Sequence, residues 1–317
     1  MGTAKEQSVL RHGFTGGLLC LALLGARSEA IPIAVPNGSF ESPAADFVNT
    51  HIDSWQKADR PPEYPEGGGF LWDQLAGVFR NTAPGAADNL INIDGIQAMY
   101  LFAIPGVCLF QDADTVDGKG STPTHAFSVP LIPGNRYTMT VGVLGNGGGM
   151  LEGVPLELVI YYRDDRAEAV PIGTTLVTNS ATLFPDRRHF IDFSVTTPVV
   201  LPTDPWAGRT VGLRMRSLVD DARRGGYWDL DQVRLTREDV KPVAPQLAIR
   251  QSGPSGKLAL SLESRLGELY DLLQSTDLNQ WTPIRTGVPG TGALIEIPLN
   301  AEPSERVFLK VLARLQH

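Results

Sequence analysis

The sequence predicts an all-β chain built as two sandwich domains, the larger one first. Three observations carry this. Short apolar runs recur between turns, with 33 glycines and 24 prolines spread through 317 residues, the pattern of a sandwich or barrel. Beyond the N-terminal segment, no stretch of helical length holds a helical period. A proline-bounded joint, Lys241-Pro-Val-Ala-Pro245, separates a long first part from a short last one. The predicted boundaries are 1–30 for an export leader, 31–238 for the large domain, 239–246 for the linker and 247–317 for the small domain.

Residues 1–30 read as a secretory signal peptide. Lys5, Arg11 and His12 form a polar start, and Phe14 to Ala26 is an apolar run too short to span a bilayer. Ser28-Glu29-Ala30 puts small residues at the two positions a signal peptidase reads. The mature chain is therefore expected outside the cytoplasm, secreted or periplasmic. It has no further apolar run of spanning length. The formal net charge of −8 disfavours nucleic acid as a partner. Once Cys20 leaves with the leader, Cys108 has no disulfide partner. Its apolar surroundings mark a core residue, since a reactive thiol needs a positive neighbourhood.

Taken in order, Ile31 to Phe40 is extended and Asn37-Gly38 signals a turn. Phe40 and Trp55 read as core plugs. Asp59 to Gly69 holds three prolines and three glycines and reads as a surface loop, followed by Phe70, Trp72 and Phe79. Short strands are expected at 90–93, 98–102, 107–110 and 126–131. Tyr137, Met139, Val141 and Val143 alternate onto one face, then Gly145 to Gly149 forms a turn cluster. Leu156 to Tyr162 is a strand that enters the charged turn Arg163 to Glu168. Ile191, Phe193 and Val195 should point inward, as should Val211, Leu213 and Met215, leaving Arg214 and Arg216 outside. In the small domain, Leu258, Leu260 and Leu262 alternate, with further strands near 269–274, 293–297 and 307–312.

Tyr227 to Leu235 closes the large domain. Strict alternation puts Asp229, Asp231, Val233 and Leu235 on one face, so two carboxylates stand in line with core residues. Buried charges need partners, often a cation. The nearest candidate by pattern is Asn37-Gly-Ser-Phe-Glu41, which a Greek-key path would bring alongside. Sugar binding needs flat aromatic faces beside polar groups. Tyr64, Phe70 and Trp72 flank the Pro/Gly loop and are the first candidates, with Trp206 another, while core packing is expected for Trp55 and Phe79. Catalytic patterns are scarce. The histidines lack metal-ligand spacing, there is no Gly-x-Ser-x-Gly elbow, and Gly145 to Gly149 lacks the rest of a phosphate loop. Asp112, Asp114 and Asp117 could form a carboxylate pair for glycosidic chemistry, although a solvated loop is the plainer reading.

Asn37-Gly-Ser-Phe-Glu41, Trp55 and Tyr227-Trp-Asp-Leu-Asp-Gln-Val-Arg-Leu235 together resemble the galactose-binding-like jelly rolls of secreted bacterial proteins. These include carbohydrate-binding modules and the jelly-roll domains of exosortase-sorted exported proteins. Asn135 to Val141 and Val211 to Met215 match the same pattern. The resemblance implies a jelly-roll sandwich over about residues 35–236, binding a polysaccharide or cell-surface glycan without catalysis. It also implies a structural Ca2+ held from the first and last strands, here by Glu41 and Asp231. Gln232 stands where a second acid is usual, and Asp229 is an extra acid, so Asp229 joins the metal candidates. Leu269 to Ile284 resembles a small fibronectin type III-like module of exported bacterial proteins. That module implies a scaffold role, and with it an alternative for the whole chain as an envelope or matrix protein contacting other proteins.

Overall fold

The computed structural model describes residues 5–11, 30–66, 69–114, 127–240, 247–252, 257–265, 267–299 and 307–315. Asp117 and His125 lie outside these residues, as do Cys20 and most of the predicted linker. The strands in chain order are β1 (Lys5–Arg11), β2 (Ala30–Ile33), β3 (Val48–Asn49), β4 (Gln56–Lys57), β5 (Ala76–Arg80), β6 (Gln97–Phe102) and β7 (Cys108–Gln111). Then come β8 (Asn135–Gly147), β9 (Pro155–Arg163), β10 (Ala169–Thr178), β11 (Ile191–Thr196), β12 (Gly212–Ser217) and β13 (Tyr227–Asp239). The last six are β14 (Leu247–Ser252), β15 (Lys257–Glu263), β16 (Glu268–Ser275), β17 (Thr282–Pro289), β18 (Leu294–Pro298) and β19 (Phe308–Leu315). One short 3-10 turn covers Trp72–Leu75, and no α-helix occurs among the described residues.

The chain divides into two compact units. The larger, residues 30–200 with 204–239, is a jelly-roll sandwich. One sheet runs β10-β9-β12-β7-β4, and the other runs β11-β8-β13-β6-β5-β3 with β2 added against β13. Every strand pair is antiparallel. The core fills with the alternating residues that the sequence marks: Tyr137, Met139, Val141, Val143, Val211, Leu213 and Met215 are all fully buried. Phe40 and Trp55 meet with ring centroids 5.5 Å apart inside it. Arg214 and Arg216 point outward and pair with Glu157. Cys108 is buried, and burial pushes its thiol up to about 12, which keeps it unreactive.

Three expectations need correction. The strands expected at 90–93 and 126–131 shrink to isolated bridges, Ile91 with His189 and Pro130 with Thr210. Phe79 is only half-buried and lies at the edge of the core. Most consequential is β13. Asp229 and Asp231 do not share a face with Val233 and Leu235. The register against β8 shifts between Asp231 and Arg234, where Gln232 adopts φ 54°. This bulge adds a residue and inverts the alternation. Trp228 and Leu230 therefore enter the core opposite Leu101 and Met99, all four fully buried. Asp229 and Asp231 turn to the opposite face, and Val233 and Leu235 return to the core beyond the bulge.

The smaller unit, residues 1–29, 201–203 and 240–317, has a sheet of order β1-β19-β16-β17 and a second of order β14-β15-β18. Leu260, Leu262, Tyr270, Leu272, Ile297, Leu309 and Val311 form its core. It is the expected second, smaller sandwich, with one addition. Lys5–Arg11, the polar start of the predicted leader, pairs antiparallel with β19.

Candidate functional site

A groove of about 760 Å³ lies on the outer face of the larger unit's seven-stranded sheet. Pleating builds its floor. Met99 and Leu101 of β6 enter the core, so Tyr100 and Phe102 between and beside them must face out. On β13, Trp228 and Leu230 enter the core, so Tyr227 and Asp229 face the groove. Tyr227 sits opposite Phe102, and Asp229 sits opposite Tyr100. Two rungs of the sheet thus present three aromatic rings and one carboxyl.

The rings form a continuous surface. Phe102 lies 5.0 Å from Phe70, 5.8 Å from Tyr100 and 5.9 Å from Tyr227, centroid to centroid. Neighbouring glycines let two of them lie across the sheet. A Cβ on Gly147 would come within 2.5 Å of the Tyr227 ring, and one on Gly77 within 2.6 Å of the Tyr100 hydroxyl oxygen. Phe47 and Phe70 stand on the rim, 80% and 54% exposed. Solvent-facing rings of this size invite a ligand with an apolar face.

The loop before the 3-10 turn is braced rather than loose. Tyr64 and Trp72 pack edge to face at 5.1 Å. The Tyr64 hydroxyl donates to the Phe70 carbonyl at 2.8 Å, and Trp72 Nε1 donates to the Ala58 carbonyl at 2.8 Å. Of the three loop aromatics, Phe70 alone lines the groove; Tyr64 and Trp72 hold it in place. Trp206 lies elsewhere, packed at 6.2 Å against Tyr162 of β9. Sequence reasoning missed Phe47, Tyr100, Phe102 and Tyr227. The aromatic-aliphatic alternation of Met-Tyr-Leu-Phe over 99–102 was the available signal.

Asp229 is 7% exposed, and its Oδ1 has no hydrogen-bond partner. Burial raises its carboxyl to about 8, so it is largely uncharged at neutral pH. Its protonated carboxyl adds a hydrogen-bond donor to the floor beside the Tyr100 and Tyr227 hydroxyls.

Glu41 and Asp231 belong to a second place, the seam where the opening segment meets β13. β2 pairs with β13 from Ile33–Leu235 to Ala30–Glu238, and Val233 N donates to the Gly38 carbonyl at 2.8 Å. Glu41 Oε1 accepts from Ile96 N and Gln97 N at 2.9 and 2.8 Å. Asp231 is fully buried and accepts from Asp94 N and Gln232 N, both at 2.7 Å. Burial, then the nearby charges of Asp94 and Glu41, push Asp231 up to about 7 against those two bonds. A buried acid whose charged neighbours are acids suits a cation. No set of three or more His, Cys, Asp or Glu among the described residues is arranged to hold a metal. The donor chemistry therefore fits calcium only with backbone carbonyls or water completing its shell.

Asp112 is committed to structure. Its Oδ2 accepts from the Tyr161 hydroxyl at 2.6 Å and from Arg163 Nε at 2.8 Å. Asp114 is 73% exposed beside the same arginine.

No family description and no curated protein matches the chain. Among solved structures, it is similar to an apo cyclase from Fischerella sp., at 19% identity over 67% of this chain and 98% of that one, with TM-score 0.48. A cyclase from Fischerella sp. TAU in complex with 4-(1H-indol-3-yl)butan-2-one gives 21%, 67%, 100% and 0.46. The CBM22-1 xylan-binding domain of Paenibacillus barcinonensis Xyn10C gives 13%, 68%, 97% and 0.33.

Proposed function

We propose that the larger unit binds a polysaccharide or cell-surface glycan along the groove, without catalysis. The observation that carries this reading is the run of rings from Phe70 through Phe102 to Tyr227. Pyranose rings have one face of C–H groups, which stack on such surfaces, while their hydroxyls need polar partners nearby. Asp229 and the half-buried Tyr100 supply polar groups beside the stacking rings. In this reading Ca2+ at Glu41 and Asp231 is structural, joining the opening segment to the closing strand. The leader-like residues 1–30 favour work outside the cytoplasm, where glycans are abundant. The smaller unit is then a scaffold module.

Affinity electrophoresis and calorimetry against a panel of soluble polysaccharides test the proposal. At least one should bind, and Phe102→Ala should weaken it by tenfold or more, a loss of ~1.4 kcal/mol. A panel that stays blank with added calcium defeats it.

A second reading rests on Asp229 alone. An uncharged, desolvated carboxyl facing a cavity can give a proton to a bound ligand. Proton-transfer catalysis then moves from Asp112–Asp117, the place the sequence suggests, to the groove. Turnover of a groove-bound ligand, absent in Asp229→Asn, would favour this reading over simple binding.

A further inference from the structure

We propose that the groove selects an acidic glycan, one bearing carboxylate or sulfate groups, and that Arg80 and Arg187 receive the anion. This deepens the glycan reading and rests on it. The first support is how the larger unit uses its arginines. Arg60, Arg163, Arg209, Arg214, Arg216, Arg223, Arg224 and Arg234 each pair with an aspartate or glutamate. The side chains of Arg80 and Arg187 make no hydrogen bond or ion pair among the described residues, and both residues line the groove. Arg136, Arg166 and Arg237 also lack a carboxylate among the described residues but do not line it.

None of the acids that line the groove pairs with the Arg80 or Arg187 side chain among the described residues. Asp186 Oδ1 accepts from Arg188 N at 3.0 Å and His189 N at 3.3 Å, and its Oδ2 pairs with His189 Nδ1. Asp229 is buried at the floor, 7% exposed. Asp88 on the rim and Asp186, whose carboxyl the Arg188 backbone bond holds below its usual range, stand against three arginines when Arg188 is counted. A chain with formal net charge −8 has thus gathered positive charge at its aromatic groove.

The arginine-bearing loop is also set in advance. The Asp186 bonds and the bond from Arg188 Nε to the Asn89 carbonyl at 3.0 Å fix the backbone on both sides of Arg187. Arg187 itself sits at φ 52°, a left-handed conformation uncommon for this residue type. Its side chain is the one in this turn left without a partner, and its charge reaches Tyr227. A guanidinium beside an aromatic ring suits a charged sugar: the ring stacks the pyranose, and the guanidinium takes its carboxylate or sulfate in two parallel hydrogen bonds.

Calorimetry on the full chain tests this with three hexasaccharide-scale probes at low and moderate salt: oligogalacturonate, a sulfated galactan oligomer, and neutral xylohexaose. At least one acidic probe should bind more tightly than xylohexaose, with affinity falling as salt rises. Which acidic probe binds identifies the source of the anion. Arg80→Gln with Arg187→Gln should weaken the acidic probe by at least about tenfold and flatten the salt dependence, with an unchanged melting temperature. Equal binding of the neutral probe, or an unaffected double variant, overturns the inference and leaves the glycan reading standing. Failure of all three probes and of the wider panel removes both.

Discussion

Replacing Asp229 by asparagine should make the protein more stable, and increasingly so as pH rises. The carboxyl is buried, its Oδ1 is unpartnered, and it titrates at about 8 in the fold against an ordinary 3.8. Between those values the folded chain keeps a proton that the unfolded chain has released. Stability therefore falls with rising pH across that window, and the loss is complete above about pH 8. The gap corresponds to a penalty of at most ~5 kcal/mol at pH 8, and to ~1–2 kcal/mol near pH 5. Asparagine has nearly the same shape and never ionises, so the variant escapes the whole penalty. Asp231 also titrates high in the fold, at about 7, but it is present in both proteins and cancels in the difference. Urea unfolding at half-unit steps from pH 5 to 9 measures the gap. Tryptophan emission reports mainly the larger unit, which holds Trp55, Trp72, Trp206 and Trp228, with Trp281 in the other. The gap between variant and parent should widen up to about pH 8 and then level. Parallel curves, or a carboxyl carbon signal for Asp229 that titrates near pH 4, would refute the reasoning.

Two further outcomes follow from the same geometry. Calcium should raise the melting temperature by several degrees and chelator should reverse the gain, because an ion at 100–1,000 times its dissociation constant contributes roughly 3–4 kcal/mol. Glu41→Gln should blunt that response, and a melt indifferent to calcium, with no metal in elemental analysis, removes the ion. Asp112→Ala should destabilise the larger unit by about 3 kcal/mol, since it leaves Tyr161 and Arg163 without their shared carboxylate. Glycan affinity of the folded Asp112 variant should match the parent, and a selective loss of binding would return that carboxylate to the functional site.

The sandwich was legible because burial on one face forces period-two alternation, and Tyr137 to Val143 and Val211 to Met215 display it without interruption. The groove was harder to read for the same reason. Its floor residues are the other half of each alternating pair, and in sequence Tyr100 and Phe102 look like more core. Only the count of layers tells them apart: β6 and β13 have the opposite sheet on one side and the groove on the other. The loop aromatics drew attention because prolines and glycines surround them, yet Tyr64 and Trp72 are spent on holding Phe70.

The bulge at Gln232 explains why the closing strand can serve two places at once. An uninterrupted strand with Trp228 and Leu230 in the core would continue with Gln232 and Arg234 inward, burying a charge. The extra residue restores Val233 and Leu235 to the core and leaves Asp231 at the seam with Glu41. Asp229, two residues earlier and on the same face, reaches the groove instead, opposite Tyr100. The two acids are alike in sequence and both are raised by burial, but their neighbours differ. Asp231 has two further acids beside it and two backbone donors on its oxygens, which a cation would complete. Burial alone raises Asp229, which lines the groove with its buried Oδ1 unpartnered. Added calcium should therefore bring the Asp231 titration down toward the ordinary carboxylate range and leave that of Asp229 in place, which separates the seam from the groove in a single pH series.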